Sequence, residues 1–266
     1  MIRLQDISYV RLGTADLNGA TKFATDYLGL EIAHRSKDSV YLKSDLREHT
    51  LCYFAGSPAD QTAAFEVAER ADLEAAACEL DRLGHHVRLG SAKEAELRQV
   101  RGFIAFNDPT GNSIELVWRP AYGSRRYHGE RDAGITGFSH IGLCTTDAAR
   151  DEAFWTNVCN ARVSDRIGDA ALLRIDEVHH TIALFPANRA GDPAHQPSGR
   201  YRRRRDALVQ FPVRTPGDHG VRSRTASDIL GTISLFRGAG RNGLRILFGR
   251  ARDCRRAALS GASVSV

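Results

Sequence analysis

The chain contains an internal repeat that keeps a constant spacing from start to end. The segment from Ile7 to Ile32 is matched without a gap by the segment from Phe138 to Val163. We call the difference in residue number between Ile7 and Phe138 the repeat offset. The identical pairs are spread over the whole match: Ser8 and Ser139, Leu12 and Leu143, Thr14 and Thr145, Asp16 and Asp147, Phe23 and Phe154, Thr25 and Thr156. Such a repeat predicts two copies of one folding unit. One difference inside the match is informative, because Tyr9 of the first copy is replaced by His140 in the second.

The first copy is predicted to fold in the order β-α-β-β-β. Apolar and polar residues alternate over residues 2–12, and Asp16 then opens a helical stretch that ends near Gly29. Strand-like runs follow at residues 31–35, 40–42 and 51–55.

Residues 64–118 predict a second unit of the same order. Asp72 is a candidate cap for a helix that Gly84 ends, and Asp108–Asn112 forms a turn in which Pro109 and Gly111 set the backbone angles. The strand-like runs lie at residues 64–68, 86–89, 102–107 and 113–118. A third unit follows from Gly137, with strands predicted at residues 138–145, 161–167, 171–175 and 180–186.

These units predict an α+β fold built from tandem βαβββ modules. We expect an N-terminal domain of two modules over residues 1–120, a linker over residues 121–136 and a third module over residues 137–190. Symmetry calls for a fourth module, but residues 191–266 have 15 Arg, 5 Asp and neither Lys nor Glu. We expect this Arg-rich tail to be disordered and the fourth module to be lost.

The composition excludes several classes of protein. The net charge of +5 resides in the tail, which lacks the interleaved aromatic residues of a base-stacking surface, so a specific nucleic-acid partner is not expected. No apolar run is long enough to span a membrane, and no signal peptide precedes the first strand. The five cysteines are scattered and form no C-x-x-C pair. These features are typical of a cytoplasmic protein with reduced thiols.

Three segments carry a resemblance to a known family: FSHIGLCTTD, DRIGDAALLRIDEVHHTIALFP and FNDPTGNSIEL. They resemble the type I extradiol catechol dioxygenases of the vicinal oxygen chelate superfamily, and 2,3-dihydroxybiphenyl dioxygenases in particular. The resemblance covers about residues 2–190. It implies two domains of two βαβββ modules each, of which the first has lost its metal. The second holds Fe(II), or less often Mn(II), through two His and one Glu.

The resemblance implies roles for particular residues. It makes His140 the first metal ligand and His180 the acid–base residue, with His179 as its outward-facing partner. The alternation of a strand agrees with the first role, since it places His140 and Cys144 on one face. Tyr9 occupies the ligand position in the first copy. Glu115 falls where the family has its carboxylate ligand, and without histidine partners we interpret it as structural.

The second His ligand and the Glu ligand of the family are absent after Gly191. Two explanations compete, a native basic appendage and a shift of reading frame near Gly191. With a suitable choice of synonymous codons, the segments 192–199, 221–229 and 235–247 read one nucleotide later can encode I-Q-H-I-N-H-Q-V, F-G-P-G-R-H-P-T-S and Y-F-E-G-P-D-G-M-V-Y-E-Y-S, in that order. These resemble the missing motifs of the family's fourth module, so the sequence favours a frameshift.

The resemblance thus implies an enzyme that opens a biphenyl-2,3-diol-like catechol with O₂ beside its two hydroxyl groups, in aromatic catabolism. Intact relatives are expected to be homo-oligomers. With two ligands missing, we expect this copy to be impaired or inactive, and the partner-less third module to expose apolar strand edges. Two alternatives stay open: another superfamily enzyme of the glyoxalase or epimerase type, and a non-catalytic protein with a basic tail.

Overall fold

The computed structural model describes residues 1–128, 135–186, 208–210 and 236–238. Four helices lie within these residues: α1 (Leu17–Asp26), α2 (Arg70–Arg82), α3 (Ala92–Leu97) and α4 (Ala148–Ala153), the last continued by a π-helical turn, Phe154–Val158. The strands are β1 (Ile7–Thr14), β2 (Glu31–Arg35), β3 (Ser39–Lys43), β4 (Leu51–Ala55), β5 (Gln61–Val67), β6 (Arg88–Leu89), β7 (Val100–Asn107), β8 (Ser113–Pro120), β9 (Ile135–Phe138), β10 (His140–Thr145), β11 (Arg162–Ile167), β12 (Ala170–Arg174), β13 (Ile182–Pro186), β14 (Leu208–Gln210) and β15 (Phe236–Gly238).

The first two modules share one eight-stranded sheet in the order β2-β3-β4-β1-β5-β8-β7-β6. Within each module the first and last strands are parallel, as β1 is to β4 and β5 to β8. The modules join through the antiparallel pair of β1 and β5. The third module forms the sheet β11-β12-β13-β10-β14, in which β10 and β13 are again parallel. The α+β fold of tandem βαβββ modules is confirmed for three modules.

The repeat extends further in the structure than in the sequence. The first residues of β2, β3 and β4 precede those of β11, β12 and β13, respectively, by the same repeat offset. The strand register agrees as well, since Val10 pairs with Leu51 in the first module and Ile141 pairs with Ile182 in the third. The second, third and fourth strands therefore begin at corresponding positions in both copies, although the sequence match fades after Ile32.

The helix caps agree with the sequence prediction at α1 and differ from it at α2 and α3. Asp16 caps α1 as predicted, by accepting a hydrogen bond from the Gly19 amide at 2.8 Å. Asp72 does not begin α2, which starts at Arg70, but reaches back to the Glu69 amide at 3.0 Å. Helix α3 is too short for its periodicity to predict it, although Ser91 and Glu94 form a complete capping box around it.

A single apolar core joins the third module to the first two. Trp155 is fully buried and packs on Phe65 of β5 with ring centroids 5.4 Å apart. The Asn160 side chain bonds both the amide and the carbonyl of Leu4, at 2.9 and 3.0 Å. Asn112, in the turn before β8, donates to the Cys144 carbonyl at 2.9 Å. Apolar packing and hydrogen bonds to the backbone thus fix the third module on the N-terminal domain.

The Arg-rich tail lies outside the described residues, except for β14 and β15. The third module was expected to expose apolar strand edges, but β10 is paired antiparallel with β14 (Leu208–Gln210) on the side away from β13. Strand β15 pairs with β9. Backbone hydrogen bonding satisfies a strand edge wherever a segment of any sequence reaches it. The described part of the chain has no helix of sufficient length and apolarity to cross a membrane.

Candidate active site

Strand β10 presents His140 at its first position. Ile141 and Leu143 lie in the apolar core, whereas the buried His140, 7% exposed, does not belong to it. This agrees with the predicted alternation, which sets His140 on the face opposite the core. The neighbouring Ser139 hydroxyl lies 3.1 Å from His140 Nδ1 and fixes the plane of the ring.

His180 lies beside His140, as the sequence predicts for two residues of one site. It is half-buried in the loop before β13, and the two imidazole rings have centroids 4.3 Å apart. His179 points outward with a side chain that is 56% exposed. Its Nδ1 lies 3.0 Å from His180 Nδ1, so one of the two nitrogens donates a hydrogen bond to the other. The structure therefore brings both predicted site residues together.

A metal of the family type needs two imidazoles and a carboxylate on one face of the ion. Within residues 1–128 and 135–186, the structure contains no group of three or more His, Cys, Asp or Glu side chains placed to hold one. His140 and His180 are adjacent, but no described carboxylate joins them. The described residues alone do not fit the metal that the family implies.

The N-terminal domain has an equivalent of this histidine pair that the sequence analysis missed. His49 precedes His180 by the repeat offset, just as Tyr9 precedes His140. The Tyr9 and His49 rings stack with centroids 5.0 Å apart and planes 25° apart. The repeat offset was itself a signal for His49, since it extends beyond the stretch of evident identity.

Glu115 completes this arrangement as half of a buried ion pair. Its carboxylate, 2% exposed, accepts the Tyr9 hydroxyl at 2.6 Å and the Arg98 guanidinium through Nε at 2.9 Å and Nη2 at 2.7 Å. Burial, followed by the adjacent Glu115 charge, raises the pKa of Tyr9 well above its usual range, so the phenol stays protonated. These are the contacts of a structural group, and Glu115 has no imidazole neighbour among them.

Arg98 was also missed by the sequence analysis. It directly follows α3, and its guanidinium stacks 4.2 Å from the centre of the Phe103 ring. The capping box around α3 was the signal that could have located it. We call Tyr9, His49, Arg98 and Glu115 the N-terminal cluster.

The imidazole of His49 is neutral at physiological pH. It is 4% exposed, and burial is the main cause that lowers its pKa to about 3, with the charges of Arg11 and Arg47 adding to the effect. The N-terminal cluster therefore holds a neutral phenol, a neutral imidazole and a compensated ion pair, and has the charge distribution of a metal-free site.

Residues 6–116 match the family model described as the Glyoxalase/Bleomycin resistance protein/Dioxygenase superfamily. Among curated proteins, the chain is 28% identical over 160 residues to 1,2-dihydroxynaphthalene dioxygenase of Pseudomonas putida, which covers 57% of this chain and 53% of that one. It is 28% identical over 202 residues to biphenyl-2,3-diol 1,2-dioxygenase of Paraburkholderia xenovorans, with 69% and 67% covered. The chain thus spans about half to two thirds of the length of these relatives.

Solved structures show the same fold. The crystal structure of BphC, a halotolerant catechol dioxygenase, aligns over 70% of this chain and 66% of its own with a TM-score of 0.64 and 19% identity. A catechol 2,3-dioxygenase aligns over 69% and 67% with a TM-score of 0.62 and 22% identity. The matches to the superfamily model and to the curated dioxygenases confirm the resemblance inferred from the sequence. They show homology to extradiol dioxygenases at 28% identity.

Proposed function

We propose that the chain derives from an extradiol ring-cleaving dioxygenase acting on a biphenyl-2,3-diol-like catechol with O₂, since residues 6–116 match the model of the Glyoxalase/Bleomycin resistance protein/Dioxygenase superfamily. We further propose that this copy is impaired. The observation that carries the proposal is the adjacency of His140 and His180 in the third module, with ring centroids 4.3 Å apart.

In this proposal the two histidines have different tasks. In the intact ancestral enzyme, His140 would be a metal ligand, because the strand and the Ser139 contact orient its ring. His180 would move a proton to and from the catechol, because a half-buried imidazole beside the ligand is within reach of a bound substrate. Iron would supply the site that brings catechol and O₂ together. A similar protein of Rhodococcus jostii, 26% identical over 204 residues, is named an iron-dependent extradiol dioxygenase.

The impairment follows from the tail. The two further ligands that the resemblance implies have no counterpart in residues 191–266, which contain no Glu and have His195 and His219 as their two histidines. A lone imidazole ligand does not hold Fe(II) usefully. We propose that residues 1–120 and 137–190 are the modules of the ancestral enzyme, and that residues 191–266 are out of frame.

The first test is an activity measurement. Purified protein is mixed anaerobically with Fe(II), then with 2,3-dihydroxybiphenyl or 1,2-dihydroxynaphthalene in air. We expect no yellow ring-fission product and no O₂ uptake above that of iron alone. Sustained formation of the product by this chain would contradict the impairment. Turnover of a non-catechol substrate without O₂ would favour the glyoxalase or epimerase alternative instead.

The second test restores the frame. A gene from which one nucleotide is removed after codon 191 should encode the missing motifs, and its product should bind Fe(II) and cleave a catechol. In that product, His140→Ala should abolish iron binding, whereas His180→Ala should keep the iron and lose most of the turnover. A stop codon soon after the deletion, or a restored product without iron, would refute the proposed origin of the tail.

A further inference from the structure

A carboxylate lies at the outer end of the histidine pair of the third module. Asp165 Oδ2 is 3.9 Å from His179 Nε2, and His179 Nδ1 is 3.0 Å from His180 Nδ1. The second carboxylate oxygen, Oδ1, accepts the Arg166 amide at 2.7 Å, which holds the carboxylate in place. The Arg166 guanidinium points elsewhere, since it pairs with Glu152 of α4 at 2.8 Å. We call Asp165, His179 and His180 the acid–histidine chain.

A β-bulge directs Asp165 to the sheet face that carries His140. The register of β11 on β12 shifts after Val163, so that Asp165, and not the residue before it, pairs with Leu172. Leu173 lies in the apolar core, and Leu172 with its partner Asp165 therefore lies on the opposite face. Without the bulge, Asp165 would point to the core side. The bulge thus places the carboxylate on the side of the two histidines.

The first copy of the repeat does not have this chain. The repeat offset places His34, Glu48 and His49 at the three positions of the acid–histidine chain. A glutamate therefore replaces the middle imidazole, and the end that holds a carboxylate in the third module is a histidine, whose ring lies 5.8 Å from that of Tyr41. The acid–histidine chain thus occurs in the copy that has an imidazole on its first strand.

We propose that Asp165 is a positioning residue that sets the tautomer of His180 through His179. A neutral imidazole has one donor and one acceptor nitrogen. The Asp165 carboxylate favours the hydrogen of His179 on Nε2, because a negative charge stabilises an N–H that points to it. His179 Nδ1 then accepts a hydrogen bond from His180 Nδ1–H, and the lone pair of His180 is on Nε2, at the opposite edge of its ring. This inference rests on the proposed role of His180 and names the nitrogen that performs it.

The tautomer decides what the ring of His180 can do beside His140. A base must present a lone pair to the proton that it takes, and a nitrogen that already carries a hydrogen does not have one. When His180 Nε2 takes the proton of a catechol hydroxyl, an O–H bond breaks and an N–H bond forms. The resulting positive ring keeps its Nδ1–H bonded to His179, and the Asp165 carboxylate beyond it stabilises the charge.

The test determines the tautomers of both rings in the full-length chain, without iron or substrate. Long-range ¹H–¹⁵N spectra are recorded at about pH 8.5, where an ordinary imidazole is neutral. The two rings are identified by the loss of their resonances in His179→Phe and His180→Phe. We expect the hydrogen of His180 on Nδ1 and that of His179 on Nε2. A His180 ring that carries its hydrogen on Nε2 would overturn the proposal.

Three variants assign the effect to Asp165. Asp165→Asn should shift the ratio of the two His180 tautomers about twofold or more towards Nε2–H, since an exposed charge has a modest but measurable effect. Asp165→Glu keeps the charge and should retain most of the Nδ1–H form. Asp169→Asn, at an exposed position in the turn between β11 and β12, is the matched control and should resemble the unmodified chain. Equal ratios in the Asp165→Asn and Asp169→Asn proteins would refute the assignment.

The measurement is independent of the proposed dioxygenase ancestry. The readout requires neither a metal nor turnover, so an inactive frame-restored protein would count against the proposed function and leave the tautomer result unchanged. The Asp165 side chain is 60% exposed, so its replacement is expected to preserve the fold, which the far-ultraviolet spectrum checks.

Discussion

The exchange of one residue separates the two copies of the repeat chemically. At the first strand of each copy, the phenol of Tyr9 donates to the buried Glu115, whereas the imidazole of His140 faces a second imidazole. A phenol with a pKa far above neutral is a hydrogen-bond donor to a carboxylate, and a neutral imidazole is a ligand for a metal. The first copy has thereby turned the site into an internal ion pair, and the second has kept the nitrogen donors.

The ion pair of the N-terminal cluster should be costly to break from one side. Arg98→Ala removes the partner of a carboxylate that is 2% exposed, so we expect a loss of about 3–5 kcal/mol in the free energy of unfolding. Arg82→Ala breaks the exposed pair with Glu79 and should cost far less, because solvent screens that pair. Urea denaturation of both variants measures the difference. Equal losses would show that Glu115 is solvated after all.

His49 should make stability depend on pH below neutrality. The folded state keeps its pKa at about 3, and an unfolded histidine titrates near 6.5, so the unfolded state binds more protons between these values. The contribution is complete above about pH 6.5 and is lost as the pH falls, the loss reaching about 2 kcal/mol at pH 5. Urea midpoints at pH 7 and pH 5 test this. His49→Asn should lessen the difference, whereas His86→Asn, at an exposed position, should keep it.

At the scale of elements, the strands could be predicted from the sequence better than the short helices. Strands β2, β3 and β4 were located because apolar runs sit between turn residues, and the helix cap Asp16 is placed as expected. The start of α2 was misplaced because Asp72 bonds backward to Glu69.

The roles of Arg98 and His49 could not be predicted in this way. Arg98 donates hydrogen bonds to Glu115, and the His49 ring stacks on Tyr9. In each case the partner lies on a different element. Periodicity within one element does not report such contacts, because it records only which face of that element is apolar.

The turn between β7 and β8 should stabilise the third module as well as its own. Asn112 bonds the Asp108 carboxylate at 2.6 Å and the Cys144 carbonyl at 2.9 Å, so it links the turn to β10. Asn112→Ala should cost about 1–3 kcal/mol, because buried polar groups lose their partner. Asn18→Ala, on the exposed side of α1, should change stability by less than about 0.5 kcal/mol. Thermal or urea denaturation distinguishes them, and an unaffected Asn112→Ala protein would disprove the link.

At the scale of the whole molecule, one continuous core predicts one cooperative unfolding transition for the described modules. The chain has two tryptophans, Trp118 on β8 of the N-terminal domain and Trp155 in the helical turn of the third module, so each belongs to a different part of the chain. The proteins with Trp118→Phe and Trp155→Phe should give fluorescence transitions with the same urea midpoint as the far-ultraviolet signal of the same variant. An earlier transition reported by Trp155 alone would show that the third module unfolds independently.

The constant repeat offset also makes the two copies interchangeable as stretches of gene. Strands β2 to β4 and β11 to β13 begin at corresponding positions and pair in the same register, so a crossover between the copies joins strand to strand in register. No strand is displaced along the chain by such an event, and what is lost or doubled is one whole repeat unit. Unequal recombination can therefore change the number of modules in this chain without disturbing the geometry of any one of them.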